Sequence, residues 1–248
     1  MVTNFDNTAG VYTATAPLPD NMRVVPESLN GVSYDAASRT IAASLTVPRR
    51  REAVEFRSST AGGPSLRFID LPTELGTPGL PQGDQGDDVG FNVDLPTGLP
   101  PFRYLGQTYS TFGIVTNGYI VPGGVQSDAD VQFRPFRLPD PARKPHPMIA
   151  PFFADLDLSA GTAGHGDWYA DTITGGPFGA NHALIVQWRE AARYSIPDKF
   201  YTFEVVMVLE TGETYFVYDT MGGDPSPSSI GAENADGSNG SFHETCSI

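Results

Sequence analysis

The chain has 248 residues, with 29 acidic against 15 basic side chains and a formal charge of −14, an excess that repels phosphate backbones and anionic lipid headgroups and so weighs against nucleic-acid and membrane-surface binding. Its 27 glycines and 22 prolines, about a fifth of the chain, stay below a low-complexity composition, and 40% hydrophobic residues can fill a core. The single cysteine, Cys246, allows neither an internal disulfide nor a cysteine-ligated zinc centre.

Residues 1–60 carry short strand-like pieces at Val11-Tyr12, Met22 to Val25, Gly31 to Tyr34, Thr40 to Leu45 and Ala53 to Phe56, divided by turn residues. They predict a small sheet that docks on, or extends, the main one. The opening Met1-Val2-Thr3-Asn4 does not read as a signal peptide, and no run approaches the roughly eighteen apolar residues of a membrane-spanning helix. Residues 61–90 contain Thr60 to Leu66 and Gly76 to Asp88, rich in Gly, Pro and polar side chains, and read as a linker or long surface loop.

From residue 91 onward strand signals dominate. Phe112 to Thr116 and Tyr119 to Val121 flank Asn117-Gly118, a dipeptide that tolerates the positive φ angles of a tight hairpin. Leu184, Val186 and Trp188 alternate with Ile185, Gln187 and Arg189. The best helical candidate, Arg189 to Tyr194, runs straight into Ile196-Pro197, which breaks it. Between Phe200 and Leu209, Tyr201, Phe203, Val205, Met207 and Leu209 share one face against Thr202, Glu204, Val206 and Val208. Thr211-Gly212-Glu213 then turns the chain into Thr214 to Tyr218. Short strands parted by turn clusters predict an all-β, antiparallel two-sheet sandwich with very little helix, over residues 91–248.

The run from Pro101 through Phe112-Gly113-Ile114-Val115-Thr116-Asn117-Gly118-Tyr119-Ile120-Val121 resembles the opening of the nidogen-like extracellular domain. Met148-Ile149-Ala150-Pro151-Phe152-Phe153-Ala154-Asp155-Leu156-Asp157 is similar to that family's central segment, and Asp167-Trp168-Tyr169, Val186-Gln187-Trp188, Tyr201 to Leu209 and Tyr215 to Tyr218 follow in order. The likeness covers residues 91 to about 235. A weaker one links residues 1–58, through Leu18-Pro19-Asp20, Gly31 to Asp35 and Arg39-Thr40-Ile41, to half of a repeated sandwich module of bacterial cell-surface proteins. The resemblance implies a non-catalytic domain outside the cell or on its surface, serving adhesion, matrix assembly or a larger secreted protein. Its partner would be a protein or matrix component, a second copy included.

Asp155 and Asp157 stand two apart on a strand, so their carboxylates share a face and repel unless a cation or donors intervene. Calcium, which takes six to eight oxygens in flexible loops, suits this pair together with Asp167 or a carbonyl from the 159–164 stretch. The competing reading lets both aspartates bind turn N–H groups. The same pair invites a glycosidase reading, and Trp168, Tyr169 or Tyr194 a sugar-stacking one. The acidic run Asp84-Gln85-Gly86-Asp87-Asp88 reads as a solvated loop, lacking the spacing of a calcium helix-loop motif. His146, His165, His182 and His243 have no second histidine at ligand spacing, and Ser159 and Ser195 lack the glycine-flanked elbow of a nucleophile. No catalytic residue is therefore expected, and calcium is the one candidate cofactor. Two alternatives to the contact domain stay open: a self-assembling subunit using strand addition through residues 1–58, and a carbohydrate-binding module or glycoside hydrolase.

Overall fold

The computed structural model describes residues 10–17, 32–35, 37–38, 40–47, 66–76, 86–160, 167–194, 196–223 and 226–246. The chain divides into two compact units, Met1–Glu52 and Ala53–Ile248. In the first, β1 (Gly10–Pro17), β2 (Val32–Asp35) and β3 (Thr40–Val47) form an antiparallel sheet in the order β1-β3-β2. Its central pair runs unbroken from Gly10↔Val47 to Pro17↔Thr40. The strand-like pieces at Met22 to Val25 and Ala53 to Phe56 lie outside the described residues.

The second unit opens with β4 (Gly90–Asp94), β5 (Phe102–Tyr104), β6 (Gln107–Tyr109), β7 (Thr111–Val115), β8 (Tyr119–Pro122) and β9 (Met148–Ala154). It continues with β10 (Leu156–Asp157), β11 (Asp167–Thr174), β12 (His182–Arg193), β13 (Ile196–Val208), β14 (Thr214–Met221), β15 (Ser228–Glu233) and β16 (Gly240–Cys246). One sheet has the order β16-β15-β9-β8-β7-β4, the other β10-β12-β13-β14 with β11 also on β12, and β5-β6 is a separate hairpin. All the ladders are antiparallel, and the only helical pieces among the described residues are short turns. This is the predicted all-β sandwich.

The core follows from alternation. Tyr201, Phe203, Val205, Met207 and Leu209 point inward together, meeting Ile114, Ile120 and Phe152 of the facing sheet. Trp188 stacks on Phe203 at 5.0 Å and donates its indole N–H to the Val115 carbonyl at 3.0 Å, which ties the two sheets together at their centre. Arg189 to Tyr194 is strand rather than helix as far as Arg193. A bulge at Arg189-Glu190, with Glu190 at φ +47°, sets Trp188 and Ala191 three apart on the same inner face, which imitates helical spacing.

Part of each sheet's outer face is covered as well. On the six-stranded sheet, Val115, Tyr119, Val121, Met148, Ala150 and Phe153 are covered by Phe136 and Leu138 from the connection between β8 and β9. That is why β9 is buried at every position instead of alternating. On the other sheet, Ala183, Ile185, Val206 and Val208 are covered by Ile69, Leu71 and Phe178. The covering strap at residues 66–76 is clasped by polar groups buried beneath it. Glu204 accepts the Ile69 N–H at 3.1 Å, and Gln187 donates to the Ile69 carbonyl at 2.8 Å. Burial pushes the Glu204 carboxyl up to about 7, the bonds from Ile69 and Gln187 holding back part of the rise.

A second buried carboxylate fixes the 123–147 connection. Glu233, wholly buried at the end of β15, accepts the Asp140 N–H at 2.8 Å and lies 2.6 Å from His146 Nδ1. Its own carbonyl takes the Tyr104 hydroxyl at 3.1 Å. Burial raises the Glu233 carboxyl, and those partners oppose the rise.

Candidate functional site

The site begins at the β7-β8 turn. Gly118 has φ +79°, and a Cβ there would lie 2.0 Å from the Phe152 carbonyl oxygen, so only glycine lets β9 pass this close. β9 binds the turn itself, through Phe152 N–H to Gly118 O at 3.3 Å and Ala154 N–H to Asn117 O at 3.2 Å. The Asn117 side chain, fully buried, then connects three segments. Its Oδ1 accepts the Leu156 N–H at 2.8 Å, while its Nδ2 donates to Asp88 Oδ1 at 2.7 Å and to the Gln132 carbonyl at 3.0 Å. The dipeptide predicted as a hairpin turn is therefore also the junction that sets where β9 gives way to β10.

Asp155 occupies that junction. A bridge between Asp87 and Asp157, with Leu158 N–H donating to Gly86 O at 3.3 Å, lays the 86–88 segment beside it. The carboxylates of Asp87, Asp88 and Asp155 consequently lie within 4.8 Å of one another. Oxygens bound to one calcium at about 2.3–2.6 Å can be no farther apart than roughly twice that, so one ion can reach all three. Partial burial raises the Asp87 carboxyl to about 6, with Asp88, Asp157 and Asp155 adding repulsion. Asp155 is raised as well, by burial first and Asp88 next, with Arg193 pulling the other way.

Asp155 also lines an open cleft of about 500 Å³. Phe133 and Tyr194, 40% and 49% exposed, line it with Arg134, Pro135, Arg193 and Pro227. The cleft is held by the frame: Tyr194 N–H donates to the Asp155 carbonyl at 3.0 Å and Arg193 Nη2 to the Pro227 carbonyl at 3.3 Å.

The residues singled out in the sequence are distributed unevenly around this site. Asp155 is at its centre. Asp157 contributes its backbone to the bridge, while its Oδ1 accepts both the N–H, at 2.7 Å, and the hydroxyl of Ser159. Asp167 opens β11, and its side chain, like those of Trp168 and Tyr169, lies outside the described residues. Asp87 and Asp88, read as part of a solvated loop, are the partners that sequence reasoning missed. Their one signal is an acidic run just before β4, and nothing in the spacing links it to Asp155 across nearly seventy residues.

Fold and site together define a helix-poor antiparallel sandwich whose acidic groups gather at the strand junctions of one end, beside an open aromatic cleft. A family model described as NIDO related matches residues 73–247, most of the chain, and the protein belongs to that family. The match starts at the strap rather than at β4, and residues 1–58 fall outside it. No curated protein and no solved structure matches the chain. No helix of the described residues is long and apolar enough to cross a membrane.

Proposed function

We propose that this chain is a non-catalytic interaction domain exposed outside the cell, binding a protein or matrix component through the end of the sandwich that carries Asp155. The observation that carries this reading is the family match over residues 73–247. The placement of the site supports it: its aromatic and charged groups line an open cleft rather than a deep cavity. Fractionation of the source culture followed by pull-down with the tagged chain tests it. Recovery in the extracellular or surface fraction with a retained partner is expected. A hydrolytic activity lost in Asp155→Ala would refute it.

A calcium-stabilised form of the same domain is a second reading, favoured by the 4.8 Å grouping of Asp87, Asp88 and Asp155. Of the other two aspartates of the expected calcium set, Asp157 accepts from Ser159, and the Asp167 side chain lies outside the described residues. Strand addition through residues 1–58 is the means of self-association this reading allows, since among the described residues β1 and β2 each pair with β3 alone. Light scattering that finds only monomers at high concentration, with and without calcium, would remove that route.

A further inference from the structure

The cleft between Phe133 and Tyr194 has a composition that selects among ligand classes. Two exposed aromatic rings share its lining with both signs of charge, Arg134 and Arg193 on one side of the balance and Asp155 on the other. Arg193 is 6% exposed and anchored on the Pro227 carbonyl, so its guanidinium is fixed in place before any ligand arrives. Arg134 lies over the Phe133 ring at 5.2 Å, which holds that ring in turn.

An apolar peptide laid on this lining would strip water from fixed ions and return nothing to them, a cost of several kcal/mol per group. An anionic chain meets the three grouped carboxylates and a net charge of −14. A cationic one is drawn by that net charge but meets the Arg134 and Arg193 guanidinium groups in the cleft lining itself. A neutral polyhydroxylated ligand has neither difficulty. Its hydroxyls accept from guanidinium and donate to carboxylate, so each fixed ion keeps hydrogen bonds. The C–H face of a sugar ring supplies apolar area to an aromatic wall whose hydroxyl stays wet, the arrangement that suits tyrosine at interfaces. The volume, about 500 Å³, lies within the roughly 300–1,000 Å³ of small-ligand sites.

We infer that the cleft lined by Phe133, Tyr194, Arg134, Arg193 and Asp155 binds a neutral saccharide. The inference rests on the interaction-domain reading and gives its matrix partner a chemistry.

Affinity electrophoresis of the full chain through gels containing soluble xylan, mannan, mixed-linkage β-glucan or starch tests it, with an array of neutral oligosaccharides run alongside. Retardation by at least one neutral polysaccharide is expected. Tyr194→Ala and Phe133→Ala should each weaken it at least tenfold while melting stays unchanged, because both rings are exposed. Tyr194→Phe, which keeps the stacking surface, should retain most of it. Phe242→Ala, an exposed ring on β16 paired with Arg137 instead, should retain all of it. Migration unaffected by every neutral polysaccharide, together with a blank array, would overturn the inference. So would binding indifferent to Tyr194 and Phe133, or binding confined to sulfated or uronic glycans. A protein captured in the pull-down despite a blank array would leave the interaction-domain reading standing and remove only the saccharide; cleavage of a bound glycan would instead defeat the non-catalytic reading.

Discussion

Asn117→Ala probes the junction on which the site is built. The amide bonds three separate segments from a fully buried position, accepting from Leu156 and donating to Asp88 and Gln132. Removing it leaves the buried Leu156 N–H without an acceptor, a penalty of about 1–3 kcal/mol, and forfeits two donor bonds worth about 1 kcal/mol each. The expected loss is about 3–5 kcal/mol, which for a unit of this size lowers Tm by roughly 6–20 °C. Urea unfolding followed by tryptophan fluorescence, with thermal melts in parallel, measures it. Because Asp88 loses its tether in the same variant, any stabilisation by calcium should shrink as well. A destabilisation below about 1 kcal/mol would mean that water or a local shift satisfies Leu156, and that the side chain does not organise the junction.

Gly118→Ala places a Cβ 2.0 Å from the Phe152 carbonyl oxygen, whereas Gly98, at φ +98°, has nothing within 4 Å. The first substitution should cost more than about 3 kcal/mol and the second only about 1–2 kcal/mol of backbone strain; equal effects in chemical denaturation would contradict the close-approach argument. The Glu204 carboxyl is raised from its ordinary 4.5 to about 7, so its contribution to stability is fully present below pH 4.5 and is lost as pH rises through 7. Wild-type Tm should therefore fall between pH 4.5 and about 7, and Glu204→Gln should reduce that slope; an unchanged slope would show that Glu204 is not among its sources. Leu71→Ala empties the apolar cover over Ile185 and Val206 and should destabilise by about 2–4 kcal/mol in the same urea assay, with little effect expected if the strap is only loosely applied. Adding millimolar calcium in place of chelator should raise Tm by several degrees in wild type and not in Asp155→Asn; a shift below about one degree would argue against a useful cation site.

Period-two patterning made the sandwich legible before any coordinates. Phe200 to Leu209 announced its inner face correctly because an antiparallel strand sends alternate side chains to one layer, and all five of those residues pack in the central core. Asn117-Gly118 announced its hairpin because the turn closes on a positive φ, +79°, at Gly118. The segment at 189–194 held the most helix-like spacing in the chain because of the Glu190 bulge, which resets the alternation by one residue. β9 gave no alternation to read, since both of its faces are covered.

The amino-acid order alone determined an acidic, helix-poor double sheet and one member of the site, Asp155, because both are recorded in contiguous residues. Only the tertiary structure decided that member's companions. Asp87 and Asp88 reach Asp155 through a backbone bridge to Asp157 and through the Asn117 amide, and Phe133 of the β8-β9 connection comes to line one cleft with Tyr194. Contacts between residues far apart in the chain leave no periodic trace in it, because they are set by how the sheets and their covering segments pack rather than by any local repeat.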